Sequence, residues 1–397
     1  MSIVSTYNDK IPFKEIITIY RVDISYQRIL TACPAGIQDY NVIMISKDIE
    51  FCFTKDGTAG LYNRTVDDVY HSIFGAKTEA VEKFVRPLGL LKNFAHKKEI
   101  KVLDICFGIG YNTKALIEEI VKLKINSKVK IDILENDRKL VELSPFIKDN
   151  CEIASAILFR SLYQIIEPDI LPVIFDKDNQ KFFKPAVRRF IRNNKHNHYS
   201  LSSNNKLNAF LHNIYYHYVS QRHKKGLISP NYRHFLITPY IDDARKSILR
   251  LSGGYDIVFL DAFTPAKLPT LWSLEFFIKL FELMNDESVL VTYSNSAAVR
   301  HAMVRAGFFA GKLFDRNNRH CGTVAAKSKR FIENELDEFD TGLMETKAGI
   351  FFTDPGLCSS PEEILADWNL RKQNSNLRST SSFIKNYKNK TEEICTT

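Results

Sequence analysis

The sequence lacks the features that mark several large classes of protein. Its seven cysteines include no Cys-x-x-Cys pair, so neither a zinc site nor a disulfide framework is indicated, and we expect reduced thiols. No apolar run approaches the roughly 18 residues needed to span a bilayer. Charged residues interrupt the N-terminus at Asp9, Lys10, Lys14 and Glu15, which does not suit a signal peptide. We therefore expect a cytoplasmic protein that does not enter a membrane.

Composition and length indicate a globular protein with more than one part. The chain has 397 residues, and 45% of them are hydrophobic, which is enough for a substantial core. Apolar stretches at residues 16–22, 41–45 and 49–53 alternate with turn residues and predict a small β-rich N-terminal unit. From Asn369 onward the chain is rich in Asn, Ser, Lys and Thr, and we expect that tail to be disordered.

Apolar runs alternate with helical patterns through the middle of the chain. This alternation predicts an α/β fold with a doubly wound, mostly parallel sheet. The predicted parallel strands are residues 99–106, 129–134, 235–240, 257–260 and 288–293, and residues 308–314 and 323–327 are predicted to close the sheet as an antiparallel hairpin.

Glycines stand at the turn between the first predicted strand and the following helix, in Phe107-Gly108-Ile109-Gly110-Tyr111-Asn112. Such glycines let the backbone approach a ligand closely. Position 113 holds no third glycine, so the turn alone is weak evidence and suits an ordinary turn equally well. The second strand ends at Glu135, about 25 residues beyond the turn, where a carboxylate can accept hydrogen bonds from ribose hydroxyls. Together these features predict a nucleoside-containing cofactor.

A second carboxylate, Asp261, follows the buried run at residues 257–260. Ligands of open α/β sheets bind outside the carboxyl ends of the strands. A loop with Pro265 and Pro269 comes next, followed by a helical segment with Trp272. This arrangement suits a reaction centre, although Asp261 would equally suit a helix cap. For Asp242 and Asp243, after the third strand, a helix N-cap is the default interpretation.

Most of the net charge of +9 lies between residues 177 and 225. This window holds eleven lysines and arginines against one acid, together with five histidines and eight aromatic residues, among them Phe182, Phe183, Phe190, Tyr215, Tyr216 and Tyr218. Cations can contact phosphates and rings can stack on unpaired bases, so we predict an RNA-binding insertion. The alternative is that the aromatic residues form the insertion's own core. The histidines lack accompanying cysteines or paired carboxylates, and no metal is expected.

These residues resemble the methyltransferase domain of MnmC-type tRNA-modifying enzymes. The resemblance covers residues 60–145 and 233–356 and is most specific in the block Leu-Asp-Ala-Phe-Thr-Pro-Ala-Lys-x-Pro-x-x-Trp-Ser-x-Glu-Phe-Phe at residues 260–277. It implies a Rossmann-like class I methyltransferase that uses S-adenosyl-L-methionine to methylate the 5-aminomethyl group of wobble (2-thio)uridine in tRNA. A separate enzyme would supply the aminomethyl precursor, because the chain shows no second glycine-rich fingerprint for the flavin oxidoreductase domain of bifunctional members.

The resemblance also implies roles for individual residues. Gly108 and Gly110 would lie against the methionine end of the cofactor, Glu135 would hold its ribose, Asp243 would face the adenine amino group, and Asp261 would act catalytically beside the methyl group and the accepting amine. The implied cofactor site comprises Asp104, Phe107, Gly108, Gly110, Asn112, Glu135, Asp242, Asp243, Asp261 and Ala262, and the expected substrate site comprises Phe263, Pro265, Lys267, Trp272 and, from the insertion, Arg188, Arg189 and Arg192.

The sequence departs from the family pattern at two positions. Cys106 stands where the family usually has the first glycine of the turn, so the backbone there must avoid positive φ or carry strain. Asp242 replaces a common glycine, which leaves open which of Asp242 and Asp243 faces the adenine.

We expect a β-rich and helical lead-in over residues 1–95 and a methyltransferase core over 96–330, with the insertion at about 160–232. A C-terminal extension over 331–368 and the disordered tail over 369–397 would follow. Two alternatives stay open. A small-amine methyltransferase or aminopropyltransferase also places an Asp at this strand end, but the basic insertion argues against a free small substrate. A catalytically inactive RNA-binding module is favoured only by Cys106.

Overall fold

A computed structural model of the protein describes residues 49–64, 68–70, 75–194, 203–224 and 234–395, excluding the side chains of residues 219–224 and 390–395. The predicted strands at residues 16–22 and 41–45 lie outside this description. The described residues begin with a three-stranded antiparallel sheet of β1 (Ile49–Phe53), β2 (Ala59–Asn63) and β3 (Asp68–Val69), in the order β1-β2-β3. The predicted stretch at residues 49–53 is confirmed as strand β1 of a small β-rich unit.

The central sheet has seven strands within the described residues, and it confirms the predicted Rossmann-like fold class. They are β4 (Glu99–Ile105), β5 (Lys128–Glu135), β6 (Phe235–Ile241), β7 (Tyr255–Leu260), β8 (Met284–Thr292), β9 (Phe309–Phe314) and β10 (His320–Ala326). Their order is β6-β5-β4-β7-β8-β10-β9; the first five are parallel, and β10 is antiparallel to both neighbours. All six residues of β7 are buried, as expected for a parallel strand covered on both faces.

Helices connect these strands and cover the sheet. They are α1 (Ala76–Glu79), α2 (Leu90–Asn93), α3 (Tyr111–Lys122), α4 (Arg138–Leu143), α5 (Glu152–Leu162), α6 (Leu171–Phe175), α7 (Pro185–Asn193), α8 (Asn204–Lys224), α9 (Ala244–Ile248), α10 (Leu274–Leu283), α11 (Ala297–Arg305), α12 (Glu338–Met344), α13 (Pro361–Asn374) and α14 (Thr380–Cys395), with a π-helical turn at Ala80–Val85. Helix α9 ends at Ile248, five residues before Gly253. The parallel order brings the carboxyl ends of β4 to β7 to one edge of the sheet.

The basic insertion forms helices α6 to α8, and its aromatic residues correct one expectation. Phe182, Phe183, Phe190 and Tyr218 are buried in the main hydrophobic core, so these four rings are not available to stack on bases. Of the aromatic residues named for stacking, Tyr216 is the most exposed, at 58%. Among the described residues of the window, the alternation of aromatic and basic residues therefore reflects mainly an amphipathic pattern, in which most rings face inward and most cations outward.

A buried ion cluster attaches the insertion to helix α3. The Asp149 carboxylate lies 2.7 Å from Nζ of Lys114 on α3 and 2.6 Å from Nζ of Lys184 at the start of α7. The Tyr218 hydroxyl of α8 donates to the carbonyl oxygen of Pro145 at 2.7 Å. Lys184 is thus a structural cation and not part of an RNA-binding surface.

The C-terminal tail also departs from expectation. Residues 369–374 complete α13 and residues 380–395 form α14, so the prediction of disorder from Asn369 was wrong for these residues. Phe383 and Tyr387 are four residues apart, on one face of α14, and their rings pack near Phe339, with centroids 5.7 and 5.1 Å away. Phe339 lies more than 40 residues before these rings in the sequence, so the composition of the tail gives no sign of this packing.

Candidate active site

The turn after β4 depends on its glycines, both for its backbone conformation and for its packing. Gly108 and Gly110 have φ angles of 56° and 81°. A Cβ atom at Gly110 would lie 2.3 Å from Cζ of Phe107 and 3.0 Å from Oγ of Ser144, so no side chain fits there. Cys106 has a φ of 63°, so the backbone at this position does not avoid positive φ. The cysteine adopts the left-handed conformation and carries the associated strain, on the order of 1–2 kcal/mol.

Glu135 closes this turn from the end of β5. Its Oε2 accepts the backbone N–H of Gly108 at 2.8 Å, and its Oε1 accepts those of Asn136 and Asp137 at 2.9 and 3.0 Å. Burial raises the pKa of Glu135 to about 7, although these hydrogen bonds favour the charged form. The structure therefore brings the predicted ribose ligand into direct contact with the glycine turn.

Asp242 and Asp243 follow β6 beside Glu135, whose carbonyl oxygen accepts the Asp242 N–H at 3.2 Å. Asp243 is the N-cap of α9: it accepts the backbone N–H of Arg245 at 2.8 Å and pairs with the Arg245 guanidinium, Nη2 to Oδ2, at 2.8 Å. The N-cap interpretation is thus confirmed for Asp243. Asp242 pairs with the more exposed Arg250, Nη2 to Oδ2, at 3.0 Å.

Asp261 lies immediately after β7 and reaches the same turn. Nδ2 of Asn112, the second residue of α3, donates to Oδ2 of Asp261 at 2.9 Å. Burial raises the pKa of Asp261 to about 8, and the negative charges of Glu79 and Asp104 add to this rise. A carboxyl group that titrates near neutral pH can exchange a proton with an amine, as general acid–base chemistry requires.

The loop after Asp261 is held by side chains beneath it. The Tyr293 hydroxyl donates to the carbonyl oxygen of Ala262 at 2.9 Å, and Nε1 of Trp272 donates to that of Phe263 at 2.9 Å. Trp272 and Pro265 are buried, which corrects the expectation that they contact substrate. Trp272 supports the loop from the core, whereas Phe263 is partly exposed and Lys267 is exposed.

Three buried side-chain oxygens have no hydrogen-bond partner among the described residues: Oδ1 of Asp104, Oδ1 of Asn112 and Oδ2 of Asp137. All three residues flank the glycine turn or Glu135. Asp104 accepts a hydrogen bond from the Thr113 hydroxyl at 2.6 Å through its other oxygen, and burial raises its pKa to about 6. Buried acceptors without donors are costly, and a ligand with ammonium and hydroxyl groups would satisfy them. The residues therefore fit S-adenosyl-L-methionine.

The insertion's predicted RNA contacts lie elsewhere. Arg188, Arg189 and Arg192 are exposed on α7, opposite the buried face of Val187, Phe190 and Ile191. Among the described contacts, none joins these arginines to the Asp261 loop. The structure thus brings the glycine turn, Glu135 and Asp261, predicted as cofactor and catalytic residues, together at one sheet edge, and the basic face lies on a separate helix.

Sequence reasoning overlooked three residues around the site. Tyr70 packs over the glycine turn, Asp68 contacts the Asp261 loop, and Tyr293 holds that loop in place. Asp68 and Tyr70 fall in a stretch that resembles the family, which was the only signal for them. Their contacts join segments almost 200 residues apart in the chain, and no local pattern reveals that pairing.

Comparisons with known proteins agree with this geometry. Residues 205–328, which include Asp242, Asp243 and Asp261, match the sequence model of a family described as S-adenosyl-L-methionine-dependent methyltransferase. The crystal structure of MnmC2 from Aquifex aeolicus has the same fold, with a TM-score of 0.56 and 22% identity, and the match covers 83% of this chain and 87% of that one.

Two relatives show how much of the chain is shared. An uncharacterized protein of Methanocaldococcus jannaschii is 26% identical over 321 residues, which are 81% of this chain and 71% of that protein. The tRNA 5-methylaminomethyl-2-thiouridine biosynthesis bifunctional protein MnmC of an Azoarcus species is 25% identical over 278 residues, 68% of this chain and 35% of the relative. The chain therefore spans about a third of the length of that MnmC relative.

The chain has a Rossmann-like fold, and its residues 205–328 match the family of S-adenosyl-L-methionine-dependent methyltransferases. More particularly, it is related to the methyltransferase part of MnmC, which confirms the resemblance seen in the sequence. None of the helices in the described part of the chain is long and apolar enough to cross a bilayer.

Proposed function

We propose that this protein methylates the amine of the 5-aminomethyl group on wobble (2-thio)uridine in tRNA. The observation that carries the proposal is the position of Asp261: its carboxyl group lies at the carboxyl end of β7, beside the glycine turn, and accepts a hydrogen bond from Asn112 on α3. The relatives named for tRNA 5-methylaminomethyl-2-thiouridine biosynthesis support this choice of amine.

The cofactor would lie along the carboxyl edge of β4, β5 and β6. Gly108 and Gly110 would contact its methionine end, and Glu135 would accept hydrogen bonds from the ribose hydroxyls. A carboxylate offers about four acceptor sites, and three backbone donors already use part of that capacity. Asp242 and Asp243 are the two candidates for the adenine amino group. Affinities of Asp242→Asn and Asp243→Asn for the cofactor would distinguish them.

Asp261 would manage the proton of the accepting amine. When bound, S-adenosyl-L-methionine supplies an electrophilic methyl group on a positively charged sulfur. A protonated amine has no lone pair, so a group must take its proton before the nitrogen can attack. Asp261, with a pKa raised to about 8, can accept that proton directly or through water and can orient the nitrogen. Alignment of amine and methyl group would supply much of the acceleration.

The basic face of the insertion supports RNA as the substrate. Arg188, Arg189 and Arg192 project from one side of α7 into solvent, which suits contacts to phosphates. The exposed ring of Tyr216 on α8 suits stacking on an unpaired base. A free small amine would gain nothing from either feature.

Mass spectrometry of tRNA nucleosides tests the proposal. A strain that lacks this protein should accumulate the unmethylated 5-aminomethyl nucleoside, and the purified protein with S-adenosyl-L-methionine should convert it in isolated tRNA. A catalytic variant, Asp261→Asn, serves as the matched control for contaminating activity. Normal wobble nucleosides in the deletion strain, or methylation of free polyamines and not of tRNA, would contradict the proposal and favour a small-amine enzyme.

A further inference from the structure

Tyr70 stands over the glycine turn from the end of the small antiparallel sheet. Its Cδ1 lies 3.4 Å from the position that a Cβ would take at Gly108. Burial and the neighbouring charge of Glu135 both raise the pKa of Tyr70, so its hydroxyl lies within the field of the predicted ribose ligand. Its backbone N–H donates to the carbonyl oxygen of Leu61 on β2 at 2.9 Å, which fixes the ring's height above the turn.

The same ring reaches the loop that carries Asp261. Tyr70 and Phe263 pack edge to face, with centroids 5.0 Å apart and an interplanar angle of 68°. Phe263 is only two residues beyond Asp261. The Tyr70 ring therefore bridges the turn that binds the cofactor and the loop at which the amine must be held.

Asp68, two residues before Tyr70, contacts the same loop through its carboxylate. The Thr264 hydroxyl donates to Oδ2 of Asp68 at 3.1 Å, and Nζ of Lys267 lies 3.8 Å from the same oxygen. Side chains at positions i and i+2 of an extended segment point to the same side. Asp68 and Tyr70 thus face the Asp261 loop together, and the intervening Val69 points away.

We propose that Tyr70 is a cofactor-binding residue that covers the ribose and methionine part of S-adenosyl-L-methionine, and that Asp68 is a positioning residue that ties this cover to the Asp261 loop. The ring shields the sulfur-bound methyl group and Asp261 from water on the side of the small sheet. A covered cofactor leaves slowly, and a dry site strengthens the interactions that orient the amine. This inference requires cofactor binding and does not depend on tRNA being the substrate.

Calorimetry and rapid-mixing dissociation experiments with S-adenosyl-L-methionine and S-adenosylhomocysteine test it. Tyr70→Ala should raise the Kd for both ligands at least about tenfold, mainly through faster dissociation, because it removes a ring that contacts the turn. Tyr70→Phe should restore affinity to within about twofold, since it keeps that ring. Asp68→Ala should raise Kd about threefold, and Asp68→Asn, which keeps an acceptor for Thr264, should lie closer to the original protein.

Val69→Ala is the matched control, since it changes the same segment on the opposite side and should leave Kd unchanged. Thermal melting checks that each variant is folded. If Tyr70→Ala does not fold, Tyr70→Leu replaces it, with an expected rise of at least about threefold. Folded Ala or Leu variants that bind as well as the original protein, or more tightly, would overturn the inference. This result is distinguishable from failure of the proposed function, which is measured by tRNA methylation with Tyr70 intact.

Discussion

Nδ2 of Asn112 donates a hydrogen bond to Oδ2 of Asp261 across 2.9 Å and joins two parts of the site that are 149 residues apart in the chain. Asn112 belongs to the first turn of α3, directly after the glycine turn, and Asp261 begins the loop after β7. Because β4 and β7 are adjacent parallel strands, their carboxyl ends lie side by side. The glycine turn and the Asp261 carboxylate are therefore held next to each other, and in the proposed reaction this contact would align the methyl donor with the accepting amine.

Replacement of Asp261 by Asn tests the catalytic assignment. The variant keeps the size of the side chain and most of its hydrogen bonding, but it can no longer accept a proton. We expect kcat to fall at least about a hundredfold, the usual scale for a lost acid–base group, with little change in cofactor Kd. In the unaltered protein kcat/KM should rise with pH through about 8, where Asp261 loses its proton.

In the Asn variant this pH dependence should disappear. Instead, kcat/KM of the Asn variant should rise more gradually and at higher pH, because more of the free amine is then neutral. Assays across pH 6 to 10 compare the two profiles. If Asp261→Asn retained most of its activity near neutral pH, Asp261 would be only a loop anchor and the proposed reaction centre would lie elsewhere.

Glu135→Ala should weaken cofactor binding. The substitution removes the hydrogen bond that the remaining acceptor site of Glu135 would offer to the ribose, and it also leaves the Gly108 N–H without its acceptor. At about 0.5–1.5 kcal/mol for a neutral bond and more for a charged acceptor, the Kd should rise tenfold or more. Glu118→Ala is a matched control. Glu118 lies on α3, two turns beyond the glycine turn, and it also accepts two backbone N–H groups, from Ile153 and Ala154. Equal cofactor affinity in folded Glu135→Ala and Glu118→Ala would exclude Glu135 as the ribose ligand.

Charge reversal at Arg188, Arg189 and Arg192 tests the RNA-binding face. The triple Glu variant should raise the KM for tRNA and flatten the dependence of tRNA affinity on salt, with a slope smaller by about 0.7 for each lost single-strand phosphate contact. Cofactor Kd should be unchanged, because the three side chains are exposed on α7. Reversal of the exposed Lys329 and Arg330 is the control. Should tRNA affinity respond equally to both variants, the effect would come from net charge alone.

The stability of the cofactor-free protein should fall as pH rises from about 5 to 8.5. Burial raises the pKa of Glu135 to about 7 and that of Asp261 to about 8. The folded state therefore binds more protons than the unfolded chain in this window, and the stabilisation present at low pH is lost as each group ionises. Urea denaturation should show that the free energy of unfolding falls by about 1 kcal/mol or more between pH 5 and 8.5.

Asp261→Asn should reduce that loss, because its side chain does not titrate. Below about pH 4 stability should decline again, since Lys114 and Lys184 hold the pKa of Asp149 at about 2 and its ion pairs are lost on protonation. A constant free energy of unfolding between pH 5 and 8.5 would show that the site carboxyls titrate normally.

Much of the fold, and the placing of the predicted cofactor residues along one sheet edge, followed from local patterns. The runs before Cys106 and Asp261 are buried strands because parallel strands covered by helices must be apolar on both faces. The same rule places Glu135 and Asp261 at one edge, since parallel strands end together. A helix N-cap at Asp242 or Asp243 was recognisable because such a cap bonds to a backbone N–H two or three residues away, and the structure assigns it to Asp243, which accepts the Arg245 N–H. Each of these features depends on near neighbours or on strand direction alone.

The remaining site features depend on contacts between distant segments. Trp272 is a residue type often found in substrate contacts, but its ring is fully buried in the core. Its indole N–H donates a hydrogen bond to the loop, at the carbonyl oxygen of Phe263. Tyr70 has no local signal beyond the family resemblance of its stretch, and its position beside the Asp261 loop is seen only in its packing against Phe263.

By itself the sequence determined the alternation of strands and helices, the glycine turn, and the carboxylates at the strand ends, because spacing along the chain encodes period, direction and capping. Only the tertiary structure decided which aromatic rings are buried, which lysine is structural, and that residues 380–395 are helical. Those outcomes depend on the free energy of burying a side chain against partners far along the chain. Lys184 shows the difference, since its basic side chain is buried and forms an ion pair with Asp149, which is 35 residues away in the sequence.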